Sequence, residues 1–474
     1  MNKIKDDVYN LVTHKSFPDV LFIRADHWNE EAKDLYDSIK KNYKFIVGIS
    51  SYQCFPANIV CPFENRPPKT DKDRFIINSN IELSAWCNCF RYPDKYIPND
   101  IPKILFSESD LISIKPKNIA KKYDILCYIG NGNWNSWIRR IDVARRFLNY
   151  AASKGYKVCV CGSLEKRGFI NCAIEPLLSQ NDFLNLLESS KGLFVSNELD
   201  ASPRIIVQSL QLGVPVMLNK NILGGWKYMT AENGMLFDPD GNTNQIDDFI
   251  KTSYKPNVIC NKILDLKEIL YSDWGIDLLL YINLDSRKDR KYRLLKMLKK
   301  WNIPENKIIR IPAVEDKICG HYGCCLSHLK ALEYAEKHGG KKFMILEDDF
   351  EFVLPPARVK HIVKMNNYDV LLLAKGHIKK EPSVGYGRAE SSTTTSGYVV
   401  NSKYLPTLKK CFEKSKKALE EELKGKTERI YEVINAIDFV WFELQKKNNF
   451  IITNPPIGKQ SFHQSSIMDI YRTK

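Results

Sequence analysis

Several common features are missing from this chain of 474 residues. No apolar run approaches the roughly eighteen residues that a membrane-spanning helix needs, and the charged N-terminus lacks the pattern of a signal peptide. None of the 13 cysteines stands in a Cys-x-x-Cys metal spacing, and no Asn-x-Ser/Thr acceptor occurs. There is no short-period repeat and no low-complexity tract. Together with the odd number of cysteines, these absences predict a soluble protein of the reducing cytoplasm.

The composition allows several hydrophobic cores, with 44% hydrophobic residues and a mean hydropathy of -0.34. A net charge of +15 raises nucleic-acid binding as one hypothesis. The basic residues, however, are scattered over both halves, and no helix-turn-helix or RNA-binding motif appears. We therefore expect no nucleic-acid partner. Attraction to diphosphates, to anionic glycans or to a membrane surface, with peripheral contact only, explains the charge more simply.

One segment, residues 343–351, is an apolar run that changes abruptly into three consecutive acids, Glu347, Asp348 and Asp349. The run predicts a buried strand that carries carboxylates at its end. In an extended chain Glu347 and Asp349 share one face, where they could clasp a hard divalent cation, and Asp348 points the other way. With 56 acidic residues in the chain, such a triplet arises about once by chance. The neighbouring segments are therefore needed to show whether it marks a functional site.

The neighbouring segments predict an open α/β sheet. Residues 277–284 indicate a second buried strand, which leads into a basic helix extending to about Trp301. Arg287 and Arg290 are three residues apart and so share one face of that helix. Residues 320–328 predict a tight glycine-containing turn that starts a helix through Ala335.

These segments, in this order, resemble glycosyltransferase family 25, which includes lipooligosaccharide and collagen galactosyltransferases. The matching elements are Asn-Leu-x-x-Arg-x-Asp-Arg at 283–290, Gly-x-x-Gly-Cys-x-x-Ser-His at 320–328 and Leu-Glu-Asp-Asp at 346–349. Further matches are residues 396–400, 437–438, 455–456, Gln460 and 466–467. The resemblance covers about residues 277–474.

The resemblance implies a GT-A fold in which the acidic motif holds Mn²⁺ or Mg²⁺ against the diphosphate of a nucleotide sugar. A cation and arginines would stabilise the charge on the leaving diphosphate. The metal ligands implied are Glu347, Asp349 and His463, with Asp349 the strongest candidate. The residues implied for donor binding are Asn283, Leu284, Arg287, Arg290, Ser327, His328 and Asp348.

Each of these roles has an alternative. Arg287 and Arg290 could form a solvated helix face, since four other basic residues surround them. His328 could cap a helix or lie in the core, and His463 could be an exposed residue of a polar tail.

An inverting transfer requires a base that takes the proton of the acceptor hydroxyl. Asp438 is our candidate, since it follows a predicted helical stretch at 428–436 and precedes aromatic residues that could desolvate it or stack on a sugar. In the alternative interpretation, Asp438 caps the helix that contains Trp441, and the aromatic residues belong to the core.

Because residues 196–216 resemble the donor-binding half of GT-B glycosyltransferases, the N-terminal half is expected to be a GT-B-like pair of Rossmann-type units. Residues 1–118 form a small, irregular α/β unit and residues 119–256 a donor-binding unit, followed by a linker at 257–276 and the GT-A domain at 277–474. Within the second unit, strand, helix (138–154) and strand alternate as in a parallel βαβ unit.

Residues 196–216 resemble the donor-binding half of family 4 glycosyltransferases of the GT-B type. There, two acids spaced like Asp200 and position 208 hold the nucleotide sugar. Gln208 can still bond a ribose hydroxyl but carries no charge. Gly130, Ser202 and Arg204 complete this second predicted donor site, where the helix beginning near Ser202 could receive a phosphate. The alternative is an inactive scaffold.

The whole chain is therefore expected to be a bifunctional glycosyltransferase that moves sugars from nucleotide-sugar donors, UDP-hexose first, to a glycan, lipooligosaccharide or protein acceptor. Two modules in one chain would raise the effective concentration of an intermediate for the second addition. The alternatives are one active GT-A domain beside a non-catalytic GT-B-like scaffold, and a basic glycan-binding or nucleic-acid-binding protein without catalysis.

Overall fold

A computed structural model gives the fold of most of the chain. The described residues are 2–5, 8–24, 28–49, 82–88, 98–106, 108–131, 139–163, 168–198, 200, 203–256, 262–376, 382 and 385–461. The chain divides into two units, the first comprising Met1–Ser79, Ala85–Tyr96 and Lys103–Glu268, and the second Asn80–Ser84, Ile97–Pro102 and Ile269–Lys474. The second unit is therefore not one continuous stretch of sequence.

The first unit begins with a six-stranded sheet whose strands lie in chain order. They are β1 (Asn2–Lys5), β2 (Val8–His14), β3 (Phe17–Arg24), β4 (Phe45–Ile49), β5 (Ala85–Asn88) and β6 (Lys103–Leu105). The first three pair antiparallel and β3 to β6 pair parallel. Helix α1 (Glu30–Ile39) is capped by the Asn29 side chain, which accepts a hydrogen bond from the Ala32 N–H. This regular sheet differs from the irregular unit expected, because short apolar runs that lie far apart in the sequence do not show which strands pair.

A second sheet in the first unit contains six parallel strands. They are β7 (Ile125–Asn131), β8 (Val158–Ser163), β9 (Ala173–Glu175), β10 (Leu193–Val195), β11 (Val216–Asn219) and β12 (Gly234–Phe237). Their helices are α2 (Ile141–Ser153), α3 (Gln180–Glu188), α4 (Arg204–Gln211) and α5 (Gln245–Lys251), and α6 (Lys262–Tyr271) follows. The strand order β12-β11-β10-β7-β8-β9 is that of a doubly wound α/β sheet, whose topological switch point lies between β7 and β10.

The second unit is built on a seven-stranded mixed sheet in the order β14-β13-β15-β19-β17-β20-β18. These strands are β13 (Leu278–Asn283), β14 (Ile308–Pro312), β15 (Lys342–Glu347), β17 (Val370–Leu372), β18 (Gly385–Arg388), β19 (Gly397–Asn401) and β20 (Phe450–Asn454); β16 (Phe350–Phe352) pairs separately with β21 (Gly458–Gln460). The helices are α7 (Lys288–Lys300), α8 (Gly320–His338), α9 (Pro356–Lys364), α10 (Leu405–Glu422), α11 (Ile437–Val440) and α12 (Phe442–Lys447). Short 3-10 helices lie at Lys40–Asn42, Glu108–Leu111, Trp226–Tyr228, Glu305–Lys307 and Ser402–Tyr404.

Both faces of the mixed sheet are buried, so its central strands β13 and β15 carry apolar side chains on both faces. In β13, Leu280 packs into the hydrophobic cluster on one face and Leu279 into the cluster on the other. β13 pairs parallel with β15, with Ile282 opposite Glu347. The polar residues that follow these two strands therefore meet at one edge of the sheet, which places the candidate site.

Two predictions of secondary structure in this unit are wrong. Gly320 and Gly323 belong to the first turn of the continuous helix α8 and do not form a separate turn before it. Gly323 is required by close approach, because a Cβ atom there would lie 2.5 Å from the Val314 carbonyl oxygen. The predicted helix at 428–436 is irregular, apart from a β-bridge between Ile430 and Cys319. Among the described residues, no helix is both long enough and apolar enough to cross a membrane.

Candidate active site

A cleft of about 400 Å³ opens in the second unit, where β13 and β15 end. Parallel strands present their carboxyl ends at the same edge, where α/β folds place their ligand sites. Nine residues that the sequence singled out line this cleft: Asn283, Leu284, Arg287, Arg290, Ser327, His328, Glu347, Asp348 and Asp349. These residues therefore do lie around one cleft, although the arrangement of the three acids within it differs from the arrangement expected.

The three acids do not alternate along an extended strand. β15 ends at Glu347, and Asp348 and Asp349 form a turn before β16. The prediction that Glu347 and Asp349 share one strand face is therefore wrong. Asp348 and Asp349 both contact Arg290, whereas Glu347 contacts His328.

Arg290 joins two of the carboxylates. Its Nη1 atom donates to Asp348 Oδ1 at 3.0 Å and to Asp349 Oδ2 at 3.3 Å. Asn283 donates to the other oxygen of Asp348 at 2.7 Å. Burial raises the pKa of Asp348, although Asn283 and Arg290 oppose this increase. Arg290 is 5% exposed, so the alternative of a solvated helix face does not describe it.

Among the residues that the structure describes, one carboxylate oxygen of Asp349 has no hydrogen-bond partner. Its Oδ2 atom accepts from Arg290 and from Gln460 Nε2 at 3.2 Å, whereas Oδ1 is buried and has no hydrogen bond among the described residues. Burial, followed by the charge of Glu347, raises the pKa of Asp349 to about 7. A buried carboxylate of this kind gains from a cation.

Glu347 and His328 form a pair at the opposite side of the turn. His328 Nε2 lies 3.3 Å from Glu347 Oε1, and the Thr395 hydroxyl donates to the same oxygen at 3.0 Å. Burial acts to raise the pKa of Glu347, yet the hydrogen bond and charge of His328, with the Thr395 hydroxyl, hold it below its ordinary value. His328 Nδ1 lies 3.1 Å from the Tyr398 hydroxyl. His328 is 0% exposed and does not cap α8.

Cys324 lies one helical turn before His328 and also lines the cleft. Its sulfur, the His328 ring nitrogen and a Glu347 oxygen all lie within 4.8 Å of one another. In the part of the chain that the structure describes, this is the one group of three His, Cys, Asp or Glu side chains with such a spacing. Burial and the nearby carboxylates hold the pKa of the Cys324 thiol well above its ordinary value. The thiol therefore stays protonated unless a cation replaces its proton.

Two more predicted donor residues are held by local contacts. Arg287 precedes α7 and forms two 3.0 Å hydrogen bonds with Asp289, which leaves its side chain 23% exposed at the cleft. The Ser327 hydroxyl donates to Gly323 O at 2.7 Å and accepts from Val314 N at 2.8 Å. Ser327 thereby fixes the loop after β14 against α8.

Asp438 does not line the cleft. It lies in the first turn of α11, whose N-cap is Ala436, so it is not the capping residue. Its Oδ2 atom accepts a 3.2 Å hydrogen bond from the Thr394 N–H. Burial, and to a smaller extent the charge of Glu347, raises the pKa of Asp438. The structure therefore places Asp438 behind Thr394, outside the lining of the cleft.

Sequence reasoning missed several residues of this site. Arg310 in β14 donates from Nε to the Asn283 side-chain oxygen at 3.1 Å and from Nη2 to the Asn283 carbonyl at 3.0 Å. Lys317 and Arg429 bring further positive charge to the cleft. None of these residues stands in the motifs that defined the resemblance. Only the adjacency of β14 to β13 could have pointed to Arg310.

The second predicted site is at the switch point of the parallel sheet in the first unit. Gly130, with φ of 70°, lies in β7, and Asp200 lies in the loop after the neighbouring strand β10. The Asp200 carboxylate accepts a 3.1 Å hydrogen bond from Asn197 Nδ2. Arg204 is the first residue of α4, and Gln208, in the same helix, is half-buried. Ser202 and the predicted metal ligand His463 both lie outside the described residues.

The chain shows low likeness to several solved structures. TarM aligns over 60% of this chain and 54% of its own, at 13% identity and a TM-score of 0.36. The apo form of the lipopolysaccharide outer core galactosyltransferase WaaB aligns over 51% of this chain and 78% of its own, at 11% and 0.36. The pneumococcal O-GlcNAc transferase GtfA, solved with UDP and GlcNAc, aligns over 50% and 49%, at 9% and 0.34. The chain thus spans about half the length of TarM and of GtfA. No protein-family model and no curated protein matches it.

Proposed function

We propose that the second unit is a GT-A glycosyltransferase domain similar to family 25, which transfers a sugar from a nucleotide-sugar donor, UDP-hexose first, to a glycan, lipooligosaccharide or protein acceptor. The observation that carries this proposal is the pairing of opposite charges in one cleft. Acids at the end of β15 line the cleft together with Arg287, Arg290, Lys317 and Arg429, and two of the acids contact Arg290. A nucleotide diphosphate brings negative charge that the basic residues can bind, and a cation between it and the acids would neutralise the rest.

The acids fit a divalent cation such as Mn²⁺ or Mg²⁺. Such ions take oxygen ligands and are commonly held by one or two carboxylates together with phosphate oxygens of the substrate. Asp349 Oδ1 is a buried oxygen without a hydrogen bond among the described residues, and Glu347, two residues earlier in the chain, lines the same cleft. We assign these two carboxylates to the cation, and His463 remains a proposed third ligand. When bound, the ion would offset the charge that develops on the leaving diphosphate.

The remaining chemistry belongs to side chains of the protein. In an inverting transfer, the acceptor oxygen attacks the anomeric carbon as the bond to the diphosphate breaks on the opposite face. Asp438 would take the hydroxyl proton, and burial prepares it for that role by raising its pKa. Arg287, Asn283 and Leu284 would hold the donor at the end of β13.

The test is release of nucleoside diphosphate by the purified full chain from a panel of nucleotide sugars, with and without Mn²⁺. We expect release from at least one donor, dependent on the cation. Asp349→Asn should lower the rate by at least about 100-fold, the usual loss when a group that stabilises transition-state charge is removed. Glu443→Gln, an exposed residue of α12, is the matched control and should keep the rate. Equal rates for Asp349→Asn and the unchanged protein would refute the proposal.

For the first unit we propose a second donor site of the GT-B type, which would make the chain bifunctional. The support is the strand order, which is that of a doubly wound sheet. Its switch point lies between β7 and β10, and Asp200 follows β10. Asp200→Ala should then abolish release of nucleoside diphosphate from one donor. Release that depends on Asp349 should continue at the rate of the unchanged protein. If no donor depends on Asp200, the first unit is a non-catalytic scaffold. A cytoplasmic location and peripheral contact with a membrane stay predictions from the sequence.

A further inference from the structure

The acids of the cleft offer two kinds of ligand set. Asp349 offers oxygen alone, whereas Glu347 faces a thiol and an imidazole, Cys324 and His328. Magnesium and manganese favour oxygen ligands, whereas thiolate and imidazole together favour zinc. The two sides of the acidic turn therefore differ in the metal that they select.

The spacing of the three side chains suits one ion. Around a tetrahedral zinc ion with bonds of about 2.0–2.3 Å, neighbouring ligand atoms lie about 3.3–3.6 Å apart. His328 Nε2 and Glu347 Oε1 are 3.3 Å apart, and the Cys324 sulfur lies within 4.8 Å of both ligand atoms.

The backbone fixes this convergence. Cys324 and His328 are four residues apart in α8, so their side chains lie on the same face, one turn from each other. Glu347 is the last residue of β15 and enters the same cleft. All three positions therefore belong to regular elements, which hold ligands more accurately than loops do.

A second layer of contacts orients the ligands. Tyr398, at 0% exposure, places its hydroxyl 3.1 Å from His328 Nδ1, and its ring stacks on the imidazole at 5.7 Å. When the proton of the imidazole is on Nδ1, the Tyr398 hydroxyl accepts a hydrogen bond from that N–H. Nε2 then has a lone pair that points toward Glu347. The Thr395 hydroxyl orients Glu347 through a 3.0 Å hydrogen bond. Metal-binding histidines usually have such an oxygen partner on the second nitrogen.

We propose that Cys324, His328 and Glu347 bind one zinc ion through thiolate, imidazole and carboxylate ligands, with a fourth position open to the cleft. As the sulfur–zinc bond forms, the sulfur–hydrogen bond breaks and the proton passes to solvent, so the thiolate offsets one of the two positive charges of zinc. Three protein ligands and an open position are the arrangement of zinc sites that accept a further ligand. This site goes beyond the proposed sugar transfer and does not depend on it.

The test uses the full chain, freed of metal with a chelator and titrated with Co²⁺, which occupies zinc sites and reports a thiolate ligand by charge-transfer absorption. We expect the band to saturate at one equivalent and to disappear when one equivalent of Zn²⁺ displaces Co²⁺. Cys324→Ser should lose the band, and Cys411→Ser, at a half-buried thiol in α10, should keep it. Tyr398→Phe should weaken zinc binding by about 10–100-fold, the usual effect of losing a contact behind a ligand.

A second measurement on the unchanged protein covers the case in which Cys324→Ser does not fold. Zinc should slow alkylation of Cys324, followed by mass spectrometry of its peptide, and leave the rate at Cys411 unchanged. A cobalt complex without a thiolate band, a band that survives Cys324→Ser, or equal alkylation of Cys324 with and without zinc would each overturn the proposal. No donor is present in these experiments, so a failure of the proposed sugar transfer would not affect them.

Discussion

The buried ion pair between Arg358 and Asp100 gives a sharp test of how the second unit is held together. Both side chains are 0% exposed, and Arg358 Nε donates to Asp100 Oδ2 at 2.6 Å, with Nη2 contacting the same oxygen. Arg358 lies in α9, whereas Asp100 comes from the short segment Ile97–Pro102 that joins this unit from far earlier in the chain. Removing one partner would leave the other charge buried and unpaired.

We expect Arg358→Met to lower the free energy of unfolding of this unit by about 3–5 kcal/mol, the usual cost of breaking a buried pair. For a unit of this size, that corresponds to a fall of roughly 6–20 °C in its melting temperature. The double variant Arg358→Met with Asp100→Leu should recover much of the loss, because neither charge then remains buried.

Differential scanning calorimetry of the full chain measures the effect, since the two units can melt in separate transitions. Lys446→Met is the control, because it breaks an ion pair with Glu443 in which both side chains are more than half exposed. Such pairs contribute little, so its melting temperature should stay unchanged. The reasoning fails if Arg358→Met matches this control, or if the effects of the single variants simply add in the double variant.

The same pair bears on the fragment that the sequence suggests. Residues 277–474 lack Asp100 and also Trp274, which is 2% exposed and packs at a tilted angle against Trp301 and Phe352. We expect this fragment to be much less stable than the same unit in the full chain. A fragment that melts cooperatively at the temperature of the intact unit would contradict this expectation.

Three further predictions concern catalysis, local packing and alkaline pH. Asp438→Asn should lower kcat by about 10²–10⁴-fold with little change in KM. Because burial raises the pKa of Asp438, kcat should fall as pH drops through that raised value, and a fall confined to KM would count against a base at this position. Gly323→Ala should lower the free energy of unfolding, measured by urea denaturation, by about 1–3 kcal/mol, because its Cβ would lie 2.5 Å from the Val314 carbonyl oxygen. An unchanged free energy of unfolding would show that the loop containing Val314 can move at little cost. Burial raises the pKa of Tyr368 and Tyr398 above the ordinary value of 10.0, so the unfolded chain ionises first and stability should decline as pH rises above 10.0. Urea midpoints that stay constant between pH 8 and 11 would be incompatible with these buried phenols.

Much of the site could be predicted because its parts are local in sequence. An apolar run followed by polar residues locates the end of a strand, and two such strands in parallel bring Asn283 and Asp348 together. The turn at 348–349 could not be predicted, because alternation of side chains holds only while the chain stays extended. Gly323 suggested a turn, whereas the reason for glycine is that the loop leading into α8 passes closely over the first turn of that helix. Contacts of this kind depend on tertiary packing, which a motif does not contain.

The turn after Glu347 has a chemical consequence that an extended strand would not have. Had the three acids alternated, Glu347 and Asp349 would have faced the same ligand, and Asp348 would have been excluded. Because of the turn, Asp348 and Asp349 contact Arg290 instead, and Glu347 contacts the imidazole of His328. Both proposed metals nevertheless use Glu347, one together with Asp349 and the other together with Cys324 and His328 of α8. Zinc in the second position should weaken manganese binding in the first, since one carboxylate cannot fully serve both ions, and a competition titration would measure that coupling directly.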